Sequence, residues 1–262
     1  LCNAACEFCP SPGLDRKGER MSDELLEQII DDLTEIPVNI PFQLSPFKVN
    51  EPFLDTRLTG ILQSINQKLP NASITLTSNA APITEKKLSD LVDIKNIRYL
   101  WISVNHYDPL EYTKIMQIPW EKTLERLNMI HDAKKSGQLP FKVILSRVKD
   151  ETNTDKEFCH WVAKEFPLFK HALFQRGGWI GQVDTDISVD VPDIPCVRWF
   201  DISITSTGIV AHCCMDGNAE WPIGDIKNNS VLEIYNQPNY KSLRQNTLSR
   251  KQVSPCNSCT FL

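Results

Sequence analysis

Cys2-Asn3-Ala4-Ala5-Cys6-Glu7-Phe8-Cys9 sets three cysteines at C-x3-C-x2-C spacing, with an aromatic side chain directly before the third. Iron–sulfur clusters are held by cysteine thiolates, normally four of them. Three thiolates on one short loop leave one iron of a [4Fe–4S] cube without a protein ligand. An open coordination position is what separates a reactive metal site from a closed structural one. The competing reading is a zinc site, which usually brings a fourth Cys or His close by. None follows here before His106.

Outward from this loop the chain alternates between helix and strand signals. Ser22 caps a helix with Leu25, Leu26, Ile29, Ile30 and Leu33 at helical spacing. Val38 to Pro46, an apolar run bounded by prolines, reads as a strand, and a helix follows Asp55. Strands are expected at Ala72 to Ser78, Ile97 to Val104, Phe141 to Val148 and Ala172 to Arg176. Between them lie helices capped by Thr84 and by Asp108-Pro109-Leu110-Glu111, then helices over Trp120 to Lys135 and Thr154 to Phe166. Five strands alternating with helices give a parallel α/β sheet. A further strand must precede the cysteine loop. Because the chain opens on Leu1, we expect a fragment that lacks its start.

Past an acidic, proline-containing linker at 184–195, Phe200 to Ser206 and Ile209 to Cys214 alternate around Thr207-Gly208 as a hairpin. Ser230-Val231-Leu232-Glu233 opens a helix with a capping box. Cys196, then Cys213 or Cys214, then Cys256-Asn257-Ser258-Cys259 frame this region. The expected domains are therefore 1–183, the linker 184–195, and 196–262. A zinc ribbon with the same thiolates is the alternative for the last of these. Cys159 sits among Phe158, Trp161 and Val162 and reads as packing.

Composition narrows the function. A net charge of −5 without a basic block argues against nucleic acid as partner. No run approaches the roughly 18 apolar residues of a membrane span, and no secretory signal is visible. Nine cysteines clustered at the two ends favour metal ligation in a reducing cytoplasm over disulfides.

The C-x3-C-x2-C motif with Phe8 before its last cysteine resembles the radical S-adenosylmethionine (SAM) superfamily. The run C-x11-G-x4-C, from Cys196 through Gly208 to Cys213, and the terminal C-x2-C are similar to a SPASM domain in its shorter, one-cluster twitch form. The resemblance implies a partial (β/α)6 barrel followed by a small auxiliary-cluster domain. It implies a first [4Fe–4S] cluster on Cys2, Cys6 and Cys9, with SAM on the fourth iron. It implies a second [4Fe–4S] cluster on Cys196, Cys213, Cys256 and Cys259. In this family an electron from the first cluster splits SAM to methionine and a 5′-deoxyadenosyl radical, which takes hydrogen from a substrate. The implied reductant is a flavodoxin or ferredoxin, and the implied substrate a peptide or a sugar.

Sites of such barrels lie at the C-terminal ends of the strands. Val49-Asn50-Glu51-Pro52 matches the Glu-Pro of the family's Gly-Gly-Glu-Pro but replaces both glycines; Glu51 would accept from the SAM amine. Asn79 belongs to a stretch similar to the family's Thr-Asn-Gly. Ser103 and Asn105 share one face of a strand end and can hold SAM or simply form a turn. Arg147 can pair with the SAM carboxylate or form a surface salt bridge. Gly177-Gly178-Trp179-Ile180-Gly181 permits close backbone approach, and the family's adenine-contacting backbone falls at Ile180. With Cys213 as ligand, neighbouring Cys214 points the other way. It is then either packing or a thiol that returns a hydrogen atom in an epimerase. A non-catalytic electron carrier and a zinc-stabilised binding module are the other function classes.

Overall fold

The computed structural model describes residues 1–16, 18–185, 190–245 and 248–261. In chain order it contains α1 (Asp23–Leu33), β1 (Phe42–Leu44), α2 (Leu58–Lys68), β2 (Ala72–Ser78), α3 (Glu85–Asp90), β3 (Ile97–Ser103), α4 (Pro109–Met116) and α5 (Trp120–Lys135). There follow β4 (Lys142–Val148), α6 (Asn153–Glu165), β5 (Lys170–Phe174), β6 (Ser203–Ile204), β7 (Ile209–Ala211), β8 (Pro222–Asp225), α7 (Val231–Tyr235) and α8 (Pro238–Gln245). The contacts divide the chain into two compact units, one of Cys2–Glu7 with Val38–Gln175, the other of Leu1, Phe8–Pro37 and Arg176–Leu262. The chain thus passes from one unit to the other inside the cysteine loop.

The larger unit is a parallel sheet in the order β1-β2-β3-β4-β5, with helices α2 to α6 in its crossovers. β4 is buried at five successive positions, Val143 to Arg147, as expected of a strand covered on both faces. β5 ends the sheet, and Leu173 and Phe174 remain exposed there. The helices start where the sequence supplies acceptors. The Asp108 carboxylate takes the N–H groups of Leu110 and Glu111, and Thr84 Oγ1 takes that of Lys87. The strand expected at Val38 to Pro46 shortens to Phe42–Leu44, with Val38 and Ile40 exposed. Pro41 has no N–H to give the ladder, so pairing begins one residue later.

The smaller unit holds a three-stranded antiparallel sheet in the order β6-β7-β8, with α1, α7 and α8. Gly208, at φ +91°, makes the β6–β7 turn, and a Cβ there would meet Leu25 of α1 at 3.2 Å. α1 is tied to this sheet and its helix. Gln28 Nε2 donates to the Ile226 carbonyl at 2.8 Å, and the Asp32 carboxylate accepts the Val231 N–H at 2.9 Å, capping α7. These bonds explain why residues 8–37 group with the C-terminal part, across the boundary expected from sequence order. The Ser230–Glu233 capping box forms as expected.

The hairpin is shorter than expected. Phe200 lies instead in a 3-10 turn, Val197–Phe200, whose Trp199 is fully buried. β8 and α8 carry no clear periodicity and were not anticipated. Part of the linker, 186–189, lies outside the described residues. Among the described residues no helix is long and apolar enough to cross a membrane.

Candidate functional site

In the larger unit the polar residues gather where the strands end. Glu51 lies in the loop after β1 and is 3% exposed. Its carboxylate accepts from Ser78 Oγ at 2.9 Å, from the Asn79 N–H at 2.8 Å and from the Phe53 N–H at 3.1 Å. Burial nevertheless dominates, pushing its pKa up from 4.5 to about 7. Asn79 also donates through Nδ2 to Asn3 Oδ1 at 2.9 Å, which joins the end of β2 to the cysteine loop. The same loop docks on the last turn of α4. The Ala5 and Glu7 N–H groups donate to the carbonyls of Met116 and Ile115, acceptors that a helix C-terminus leaves unpaired. Cys6 Sγ lies 3.6 Å from Met116 Sδ, and Asn105 Nδ2 donates to that sulfur at 3.0 Å.

Asn105 is buried in the left-handed conformation, φ 64°, and its Oδ1 accepts the Val148 N–H at 2.8 Å. Arg147 is placed differently from expectation. It is neither on the surface nor open to a carboxylate, being 2% exposed with every guanidinium nitrogen engaged inside the chain. Nε donates to Asp155 at 2.8 Å, Nη2 to Asp150 at 2.5 Å, and Nη1 to the Asn105 carbonyl. Asp155, at the start of α6, also accepts the N–H groups of Asp150 and Glu151. Arg147 therefore fixes the backbone of Asn105. Ser103 is half-buried at the end of β3. Met116 and Asp155 had no spacing signal; their roles arise from tertiary packing of α4 and α6.

In the smaller unit the indole Nε1 of Trp179 donates to the Phe8 carbonyl at 3.0 Å. Trp179, Ile180 and Gly181 all have positive φ, and the Gly178 N–H donates to Thr260 Oγ1 at 2.6 Å. Ile180 lines a cavity together with Cys196, Cys213, Cys256 and Cys259. Cys214 is half-buried and is not among the lining residues. Cys159, expected in the core, is half-buried on α6.

Four thiols around one space are the donor set an iron–sulfur cluster needs. Among the described residues no three His, Cys, Asp or Glu side chains converge as ligands of a single ion. Burial pushes the Cys213 thiol up to about 12 and raises Cys256 and Cys259, so bare thiolates are disfavoured in this cavity. The positive charge of Arg250 and the indole N–H of Trp199 work in the opposite direction on Cys256. His212 Nε2 faces Cys256 Sγ at 3.3 Å, a contact that orients the sulfur. Arg198, Trp199 and Arg250 also line the cavity. None of these surrounding groups was singled out from sequence, although His212 adjoins Cys213 and Arg198 and Trp199 closely follow Cys196. The residues present fit the cluster.

Comparison with known proteins agrees with this geometry. The sequence matches the radical SAM superfamily over residues 1–162 and the iron–sulfur cluster-binding SPASM domain over 196–260. No curated protein matches it significantly. Solved structures share the fold at low identity. BtrN in complex with AdoMet and 2-DOIA superposes with a TM-score of 0.67 at 18% identity, covering 100% of this chain and 89% of that one. SuiB of Streptococcus suis bound to precursor peptide SuiA gives 0.73 at 14% identity, covering 99% and 67%. The anSMEcpe structure with bound AdoMet and Cp18Cys peptide gives 0.67 at 14% identity, covering 94% and 79%. The α/β sheet, the cysteine loop and the family match together make this chain a member of the radical SAM superfamily with a C-terminal SPASM domain, using S-adenosylmethionine, a [4Fe–4S] cluster and auxiliary iron–sulfur chemistry.

Proposed function

We propose that the protein is a SAM-cleaving enzyme that oxidises a peptide or a sugar-like substrate with one auxiliary cluster. The observation that carries this is a cavity lined by Cys196, Cys213, Cys256 and Cys259 together. Cys2, Cys6 and Cys9 would hold the other cluster, and the chemistry it would supply there is the reductive cleavage of SAM. Glu51 accepts from the SAM amine, and Asn79 holds Asn3 of the cysteine loop against it. Phe8 joins the same loop to Trp179. Ser103 and Asn105 offer polar groups to SAM, with Arg147 acting on Asn105 as a positioning residue. Ile180 approaches adenine through its backbone. The reductant is a flavodoxin or ferredoxin, and the compartment is the cytoplasm. A peptide substrate is supported by the peptides in the SuiB and anSMEcpe structures, a small cyclic one by 2-DOIA in BtrN.

A second reading is epimerisation, favoured by one observation: Cys214 stands outside the cavity lining while close enough to Arg198 to raise its pKa. In that reading the Cys214 S–H passes a hydrogen atom to a substrate radical, and the thiyl radical left behind is reduced and reprotonated by the same reductant.

Iron content and SAM cleavage test the assignment. Anaerobically reconstituted protein should hold roughly eight irons, from two four-iron clusters. Replacing Cys2, Cys6 and Cys9 by Ala should leave about half of them and abolish SAM cleavage. Undiminished SAM cleavage in that triple variant would sink the proposal.

A further inference from the structure

The cavity of the smaller unit carries more than thiols. Trp199 is fully buried against it, and its indole N–H, turned toward the Cys256 sulfur, makes no hydrogen bond of full geometry among the described residues. Arg198 and Arg250 line the same cavity, and the Nε–H of each is buried and unpartnered. Their remaining groups are anchored. Arg198 Nη1 donates to Asp201 at 3.0 Å, with the guanidinium 5.1 Å from the Phe261 ring. Arg250 Nη1 donates to the Phe261 carbonyl at 2.6 Å. A buried donor without an acceptor loses its hydration for no return. Native proteins carry few such groups, and each one calls for an explanation. Here three meet at one cavity that is also lined by four cysteines.

We propose that Trp199, with Arg198 and Arg250 beside it, donates to the sulfur atoms of the auxiliary cluster and keeps the reduction potential of that cluster high. The proposal rests on Cys196, Cys213, Cys256 and Cys259 being its ligands. Reduction adds a negative charge to a group already bound through four thiolates. Donors and cations beside the sulfurs stabilise the reduced form more than the oxidised one, and hydrogen bonds to sulfur are an established determinant of potential. His212 already has Cys256 as its partner, so the trio adds to that contact. The three are positioning residues for electron acceptance, and a merely structural role would not require their N–H groups.

The test uses the full chain with Cys2, Cys6 and Cys9 replaced by Ala, so that only the auxiliary cluster is observed. About four irons should remain. Its midpoint potential is read by redox titration followed by electron paramagnetic resonance. Trp199→Phe keeps the ring and removes the N–H. We expect one-electron reduction to become about tenfold less favourable, a shift of about 59 mV to more negative potential. Arg198→Gln, at a half-exposed position, should shift the potential in the same direction and decides the matter if Trp199→Phe fails to load iron. Full iron with an unmoved potential in these variants overturns the donor role alone. Absence of iron in the parent triple variant overturns the ligand assignment and the donor role with it.

Discussion

Glu51→Gln separates the cost of burying a carboxylate from its use. In the folded chain burial raises the pKa of Glu51 from 4.5 to about 7, although three donors face it. Below pH 4.5 the group is protonated in both folded and unfolded chains and costs nothing. Between 4.5 and 7 the unfolded chain releases its proton first, so stability falls as pH rises. Above 7 the loss is complete, at roughly 3 kcal/mol, from about 1.4 kcal/mol per tenfold. The amide cannot ionise and removes this slope. It also turns an NH2 group toward one of three donors, which costs about 1–3 kcal/mol at every pH. The variant should therefore lack the decline of roughly 3 kcal/mol that Glu51 contributes to the parent between pH 4.5 and 7, read as the difference between the two proteins in denaturant unfolding of the cluster-free chain. SAM binding should move the other way. Losing a buried charge-assisted acceptor should weaken it roughly ten- to a hundredfold, from about 1.5–3 kcal/mol. Parallel pH slopes in the two proteins would refute the raised pKa of Glu51, and equal SAM affinity at pH 8 would refute its assignment as the amine acceptor.

Three further outcomes are expected. Asp155→Ala leaves the Arg147 guanidinium buried without its main partner and should cost about 3–5 kcal/mol in denaturant unfolding; a change below about 1 kcal/mol would show the network to be incidental. Gly224→Ala puts a Cβ 2.7–2.9 Å from three Ile234 side-chain carbons and should destabilise by about 1–3 kcal/mol, relieved in part by Ile234→Val. Turnover in D2O, once a substrate is known, distinguishes the two proposed outcomes: an epimerase product carries one solvent deuterium and is lost in Cys214→Ala, whereas an oxidised, deuterium-free product made equally well by both proteins rejects Cys214 as donor.

Local chemistry made much of the fold legible. Caps at Thr84, Asp108 and Ser230 are short-range signals, and each appears where its residues stand. β2 keeps its expected bounds because alternation of Ile74 and Leu76 with threonines is a property of the strand itself. The cysteine spacings were equally readable, and the cavity collects the four thiols that the C-terminal spacing picked out. What sequence did not show depends on distant partners. Arg147 was expected to meet the SAM carboxylate or a surface partner, but Asp155 reaches it from the next helix and Asp150 from the loop between. The grouping of α1 with β8 and α7 rests on bonds such as Asp32 to Val231, about which no local pattern speaks. Phe200 read as the start of an alternating strand, whereas it closes a 3-10 turn that buries Trp199 beside the thiols.

The bond between Asp32 and the Val231 N–H joins residues 199 positions apart, and that span has a consequence for how the chain matures. On a ribosome, α1 emerges early but has no lasting partner until β8 and α7 follow. The sheet of the larger unit is built from neighbours in sequence and can settle in the meantime, as units made of nearby contacts do. Completion of the smaller unit must wait until Cys256 and Cys259 have emerged as well. Until then the apolar face of α1, with Leu25, Ile29, Ile30 and Leu33, is a surface for chaperones to shield.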